Sequence, residues 1–279
     1  MKLQRFDEPN QFYQKVKDYL LKYEAHHCLP LGIIDTLINH PERYNCQPYL
    51  ASVEVEGNAV AVAMRTPPYN LLLSKTTDFG ALEAIAQDLH LQKEKLPGVS
   101  SFTKESETFA RIWQSLSGES YRIKTQMRIH QLEKVEPIAL SNGYMRLATE
   151  RDRNLLINWY EAFLMEAMGE IYDDSARFID YKLKNNCLYL WEDGVPVSMV
   201  GYARGGTPNG KPIAPVYTPP EYRKKGYATS CVATLSQQLL QENSRYCFLF
   251  TDLSNPTSNH IYQTIGYQPV CDWNEYRFE

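Results

Sequence analysis

The sequence predicts an α+β fold in two tandem domains, each a sheet flanked by helices. Two observations carry that expectation. The order strand, two helices, hairpin, strand, helix, strand can be followed twice along the 279 residues. The halves also echo each other at their hairpins, EGNAVAVA from Glu56 and DGVPVSMV from Asp193. Between them VEPIALSNG, Val135 to Gly143, joins a proline, an asparagine and a glycine in a loop-like stretch. Domains over residues 1–134 and 144–279 are expected on either side.

In the first half, Phe12, Val16, Tyr19, Leu20 and Tyr23 share one helical face. YLASVEVEGNAVAVAMRT alternates on both arms around Glu56-Gly57-Asn58, the pattern of a hairpin. YNLLLS is a short buried strand, and FGALEAIAQDLH an amphipathic helix with Leu82, Ile85 and Leu89 inward. A further helix carries Phe109, Ile112, Trp113 and Leu116, and YRIKTQMRIHQL alternates as a strand.

In the second half, YMRLAT reads as a strand, followed by a helix with Leu155, Trp159, Phe163 and Ala167 on one side. A short helix spans about Ser175 to Lys184, and CLYLWEDGVPVSMVGYAR is a hairpin turning at Asp193-Gly194. After the loop GGTPNGKP come an apolar strand from Ile213 to Tyr217 and a helix with Ala228, Val232, Leu235 and Leu239 on one face. CFLFTD is the next strand, Thr257 to Ile265 a short helix, and Glu275 to Phe278 a terminal strand.

Composition narrows the function. Hydrophobic residues make up 43% and charged ones 22%, the balance of a globular protein. The formal charge of −4 gives the surface no general attraction for nucleic acid. Cys28, Cys46, Cys187, Cys231, Cys247 and Cys271 form no C-x-x-C pair and sit mostly in apolar runs, so reduced buried thiols are expected. The six histidines show no ligand spacing, and no metal site is expected. The N-terminus, MKLQRFDEPNQF, has no signal-peptide pattern and no apolar run has the length of a membrane span, so a cytoplasmic protein is expected.

The informative stretch is VYTPPEYRKKGYATS, Val216 to Ser230. Pro219 and Pro220 lack the N–H groups a sheet needs, so the strand should end near Thr218. Arg223, Lys224, Lys225 and Gly226 then stand between a strand end and a helix start. A helix start leaves main-chain N–H groups without partners and carries roughly half a positive charge. Phosphate oxygens meet both needs, and a glycine lets an anion approach the backbone. A bidentate fork from Arg223 and two lysine charges add to the cradle. Neither the nucleoside-triphosphate loop nor the dinucleotide fingerprint is present.

Arg223-Lys224-Lys225-Gly226-Tyr227-Ala228 resembles the Arg/Gln-x-x-Gly-x-Gly/Ala signature of the GNAT superfamily of acyl-CoA-dependent N-acyltransferases. CFLFTD and then NPTSNHIYQTIGY, with Asn255, Asn259 and Tyr262 ahead of Gly266-Tyr267, follow in the family's order. The resemblance covers about Tyr144 to Glu279 and implies a mixed sheet flanked by helices. It implies that the pantetheine arm of acetyl-CoA lies along Val216, Tyr217 and Thr218, in a splay between that strand and CFLFTD. The diphosphate would lie over Arg223 to Ala228, with Thr229 adding a hydroxyl. Asn255 or Asn259 would contact the arm or the adenosine side.

In the same resemblance Tyr262 is the general acid for the departing thiolate. A carboxylate should accept the amine's proton, and the candidates are Glu166 and Glu170, then Asp252. The first half has SKTTDFGALEA where the signature would stand, so a second GNAT-like domain there has lost its cradle. An unrelated α+β extension is the other reading of that half. Two functions stand open. One is acetyl transfer to a primary amine of a small molecule, without nucleic acid or membrane as partner and with the oligomeric state open. The other is an acyl-CoA-binding or sensing protein without turnover, and Tyr262 separates the two.

Overall fold

The computed structural model describes residues 1–171, 173–242 and 244–279. Chain contacts divide it into two compact units, residues 1–129 with 252–254 and 270–279, and residues 130–251 with 255–269. The spans 1–134 and 144–279 therefore meet a difference at the C-terminus, whose last ten residues belong to the first unit.

The first unit contains β1 (Lys2–Arg5), α1 (Pro9–Leu21), α2 (Cys28–Asn39), β2 (Tyr49–Val55), β3 (Asn58–Arg65), β4 (Leu71–Leu73), α3 (Gly80–Leu91), β5 (Gly98–Phe102) and α4 (Thr103–Ser117). Most of β6 (Tyr121–Leu132) belongs to it as well. Glu56 and Gly57 both take positive φ, the requirement of the tight turn joining β2 to β3. Tyr23, expected on the face of α1, lies beyond that helix and is exposed. The short strand GVSSF escapes sequence periodicity because all five residues are buried and nothing alternates. It is parallel to β4 on one side. On the other it pairs antiparallel with the terminal strand, Trp273 opposite Phe102 and Arg277 opposite Gly98. Tyr276 and Phe278 thereby enter a core with Leu82, Ile85, Phe109 and Trp113.

His27 offers a test of this unit. It is 1% exposed. Its Nδ1 stands 2.9 Å from the Leu20 carbonyl, and its Nε2 accepts the Lys75 N–H at 3.2 Å. Both bonds use the neutral ring with its proton on Nδ1, and protonation of Nε2 destroys the second. Burial, the main cause, lowers the pKa from 6.5 to about 4. The stability this provides is complete above the unfolded pKa and is lost as pH falls through about 4; its size is about 3 kcal/mol. Urea unfolding at pH 7 and pH 4 is expected to show a smaller pH difference in His27→Gln than in the wild type. Equal differences would place the acid sensitivity elsewhere.

The second unit contains β7 (Tyr144–Leu147), α5 (Arg153–Met168), α6 (Ser175–Lys184), β8 (Leu188–Asp193), β9 (Val195–Tyr202), β10 (Gly210–Tyr217), α7 (Tyr227–Gln241), β11 (Tyr246–Asp252, its last residue assigned to the first unit) and α8 (Pro256–Ile265). Strand order is β11-β10-β9-β8-β7, parallel only between β10 and β11. Alternation along the strands feeds two cores. Trp191, Val200 and Ile213 meet Val232, Leu235 and Leu239 of α7, while Leu190, Met199 and Tyr217 meet Leu156 of α5 and Ile179 of α6. β12 (Gln268–Phe278) leaves this unit near Pro269 and runs into the first. It begins well before Glu275, the expected start.

None of the six cysteines forms a disulfide. Among the described residues no helix is long and apolar enough to cross a membrane, and no group of three or more His, Cys, Asp or Glu side chains is placed to hold a metal ion.

Candidate functional site

β10 begins at Gly210, so the last part of GGTPNGKP is strand rather than loop. Gly210, Lys211 and Pro212 pair with Tyr246, Cys247 and Phe248 of β11, and there the parallel ladder ends. Beyond it β10 keeps pairing with β9, but through an irregularity between Ile213 and Val216. Among the described residues Val216, Tyr217 and Thr218 thus have no pairing with β11. Tyr217 is buried against Trp159, ring centroids 6.4 Å apart, and the Thr218 hydroxyl lies 2.8 Å from that of Ser198.

The cationic loop follows. Lys224 (φ 62°) and Gly226 (φ 79°) both take the left-handed conformation, and Gly226 is the N-cap of α7. The helix's first internal bond runs from the Ser230 N–H to the Gly226 carbonyl. Among the described residues no side chain caps the preceding N–H groups of Tyr227, Ala228 and Thr229. Lys224 and Lys225 are exposed beside them, with the Lys225 ammonium 5.8 Å from the centre of the Tyr222 ring. A turn of left-handed residues opening a fifteen-residue helix, with uncapped amides and two lysines, fits a diphosphate.

Arg223, expected to fork onto the anion, pairs within the protein in this structure. Its Nε donates to the Thr218 carbonyl at 2.8 Å, and its Nη2 lies 2.7 and 2.9 Å from the two oxygens of Glu166. The guanidinium is committed because the last turn of α5 brings Glu166 alongside the strand end. As placed here, Glu166 is ion-paired to Arg223, and the Thr218 carbonyl accepts from the same guanidinium. Tyr227 turns its ring inward and donates to Asp193 Oδ2 at 2.6 Å, which raises its pKa. Its N–H is what it can offer an anion.

The stretch read as a linker is strapped to the second unit. Glu136 N–H donates to the Ile265 carbonyl at 2.9 Å, and Trp191 Nε1 to the Asn142 carbonyl at 2.8 Å. Ser141 N–H donates to Ser230 Oγ at 2.8 Å, and Ser141 Oγ to the Lys225 carbonyl at 2.7 Å. Ser141 therefore holds the cationic loop itself. Nothing about a serine in a polar loop marks that in the sequence. Gly143, at φ 101°, does carry a signal: a Cβ there would lie 2.2 Å from the Glu192 carbonyl oxygen.

Tyr262 is buried in α8, its ring edge-on to Tyr267 with centroids 5.9 Å apart, and burial pushes its pKa up to about 12. Its phenol stays protonated at neutral pH. Asn255 caps α8, its Oδ1 accepting the Ser258 N–H at 3.0 Å, and Asn259 Nδ2 donates to the Asn255 carbonyl. Asp252 accepts from the N–H and hydroxyl of Ser254, both at 2.7 Å, as a turn cap in the first unit. Glu170 stands half-buried just past Gly169, the left-handed end of α5. The structure thus gathers Glu166, Thr218 and Arg223 around the end of β10 and gives Asn255 and Asp252 local capping bonds.

The model of the acetyltransferase (GNAT) family matches residues 153–267, from the start of α5 past α8 to Tyr267. The match takes in β10, the cationic loop and Tyr262. Residues 153–267 are a GNAT domain. Among solved structures, one of a Drosophila protein is similar at TM-score 0.70 and 12% identity, covering 99% of this chain and 98% of that one. A GNAT-family acetyltransferase from Colwellia psychrerythraea gives 0.58 at 11%, over 100% and 99%. A tandem GNAT protein from the clavulanic acid biosynthesis pathway gives 0.60 at 9%, over 99% and 97%. Such identities carry the fold alone, and the fold they carry spans the whole chain. No curated protein matches it in sequence.

In the first unit, the turn leading into α3 is filled by its own acids. Gly80 N–H at the start of α3 donates to Asp78 Oδ1 at 3.1 Å, and Thr76 N–H to Glu105 Oε1 at 3.0 Å. Ser101 Oγ of β5 donates to the Leu73 carbonyl of β4 at 2.9 Å, a side-chain clasp between the two parallel strands. One donor at the start of α3 is thus taken by a carboxylate, whereas among the described residues no side chain caps α7.

Proposed function

We propose that this protein is an N-acetyltransferase that moves an acetyl group from acetyl-CoA to a primary amine of a small molecule. The observation that carries the reading is the end of the β10–β11 ladder at Pro212, followed past the unpaired end of β10 and the cationic loop by the start of α7. The free edge of Val216 and Tyr217 can pair with the amides of the pantetheine arm. The N–H groups of Tyr227, Ala228 and Thr229, with Lys224 and Lys225, suit the diphosphate. The amine nitrogen attacks the thioester carbon, the carbon–sulfur bond breaks, and the Tyr262 phenol gives its proton to the leaving sulfur. The amine's surplus proton passes to water, and a proton returned from solvent restores the Tyr262 phenol. Holding amine and thioester together supplies much of the acceleration. The formal charge of −4 and a cationic cluster confined to one turn favour a small acceptor over a polyanion.

The test is the thermal midpoint with saturating acetyl-CoA, free CoA or ATP. At a hundred times its dissociation constant a ligand stabilises by about 2.7 kcal/mol, a rise of about 2–4 °C for a chain of this size. Acetyl-CoA and CoA are expected to raise the midpoint and ATP to leave it in place. No rise with either thioester or thiol would overturn the reading.

A further inference from the structure

Lys182, on α6, is a lysine only 4% exposed. Its ammonium donates to the Tyr202 carbonyl at 2.5 Å and the Ala214 carbonyl at 3.2 Å, and lies 5.1 Å from the centre of the Phe178 ring. Burying a lysine head group is costly unless its donors are satisfied, and a leucine or methionine would fill the same core without that cost. The carbonyls it holds satisfy two of its donors.

Those two carbonyls flank a bulge. Ile213 pairs with Tyr202 and Val216 with Val200, so Ala214 and Pro215 on β10 stand opposite Gly201 alone on β9. An extra residue in one strand breaks the ladder and bends that strand. Pro215 has no N–H, and the Ala214 carbonyl leaves the ladder toward α6. Gly201 fits the same arrangement, because a Cβ there would come within 3.1 Å of the Ala214 oxygen. The bulge also begins where pairing with β11 stops, just past the Pro212–Phe248 pair.

We infer that Lys182 is a positioning residue: by holding the Tyr202 and Ala214 carbonyls it fixes the bulge that turns β10 away from β11 and presents Val216 and Tyr217 to the acyl-CoA arm. The inference rests on the acyl-CoA reading for its functional half only. An apolar residue would leave both carbonyls without the donor, and β10 would relax toward β11 or lose order beyond Ile213.

The experiment compares full-length wild type, Lys182→Met, Lys182→Gln and Ile179→Ala. Ile179 is fully buried on the same helix and in the same core as its neighbours, so its truncation lowers stability by packing loss alone. CoA affinity is measured by calorimetry, and amide exchange is followed in the peptide covering residues 213–218. Lys182→Met is expected to weaken CoA at least tenfold and to speed that exchange at least tenfold. Ile179→Ala should lower the melting temperature with CoA affinity within twofold of wild type. Lys182→Gln, which retains an N–H donor, should fall between and serves if Lys182→Met does not fold. CoA affinity and exchange in both Lys182 variants equal to those of Ile179→Ala would overturn the assignment. If the wild type itself binds no CoA, the acyl-CoA reading fails, and the exchange rates alone decide whether Lys182 holds the bulge.

Discussion

Tyr262→Phe is expected to lower acetyl transfer by about 10²–10⁴-fold, the usual contribution of a positioned acid, while CoA affinity stays within about twofold. The substitution removes one oxygen from a buried ring and keeps the edge-on contact with Tyr267. Burial pushes the phenol's pKa up to about 12, above the ordinary 10.0 of a tyrosine. The proton is therefore in place across neutral and moderately alkaline pH, and the loss of this acid should appear only as pH rises toward 12. The measurement is thiol release from acetyl-CoA with a broad panel of primary amines, alongside calorimetric titration with CoA. Equal turnover in variant and wild type would reduce Tyr262 to a packing residue. Binding of CoA with no thiol release from the wild type would favour the reading without turnover.

Much of this site can be read from the chain because local chemistry fixes it. Two prolines end β10, a glycine at positive φ opens α7, and the spacing of Val232, Leu235 and Leu239 sets that helix's buried face. What the chain does not display are choices between equally good partners. Arg223 suits a phosphate as well as a carboxylate, and only the placement of α5 gives it to Glu166. Lys182 sits in RFIDYKLK, where a lysine reads as an exposed helical residue; its burial follows from a bulge several strands away in sequence. The terminal strand is legible as a strand, but its partner β5 is not, since antiparallel pairing across so many residues leaves no local trace. GVSSF is missed for a related reason, being buried on both faces.

Gly226→Val is expected to cost CoA at least tenfold in affinity and to lower the melting temperature by a few degrees. The first reason is conformational. At φ 79° a residue with a Cβ is strained by roughly 1–2 kcal/mol, and a β-branched one by more. Relaxing the turn would swing the N–H groups of Tyr227 and Ala228 out of their common direction, and that direction is what suits a diphosphate. The second reason is the strap. A Cβ on Gly226 would stand 2.7 Å from Ser141 Oγ, which donates to the neighbouring Lys225 carbonyl. The added group thus strikes the protein before it can reach a ligand, so some folding stability must be lost along with binding. The double variant Ser141→Gly/Gly226→Val separates the two effects, since it removes the collision and leaves the turn strained. Calorimetry with CoA should find the double variant still weak, with no more than part of the thermal loss restored. Full recovery of affinity in the double variant would assign the defect to the strap, and unchanged affinity in Gly226→Val alone would remove the diphosphate from this turn.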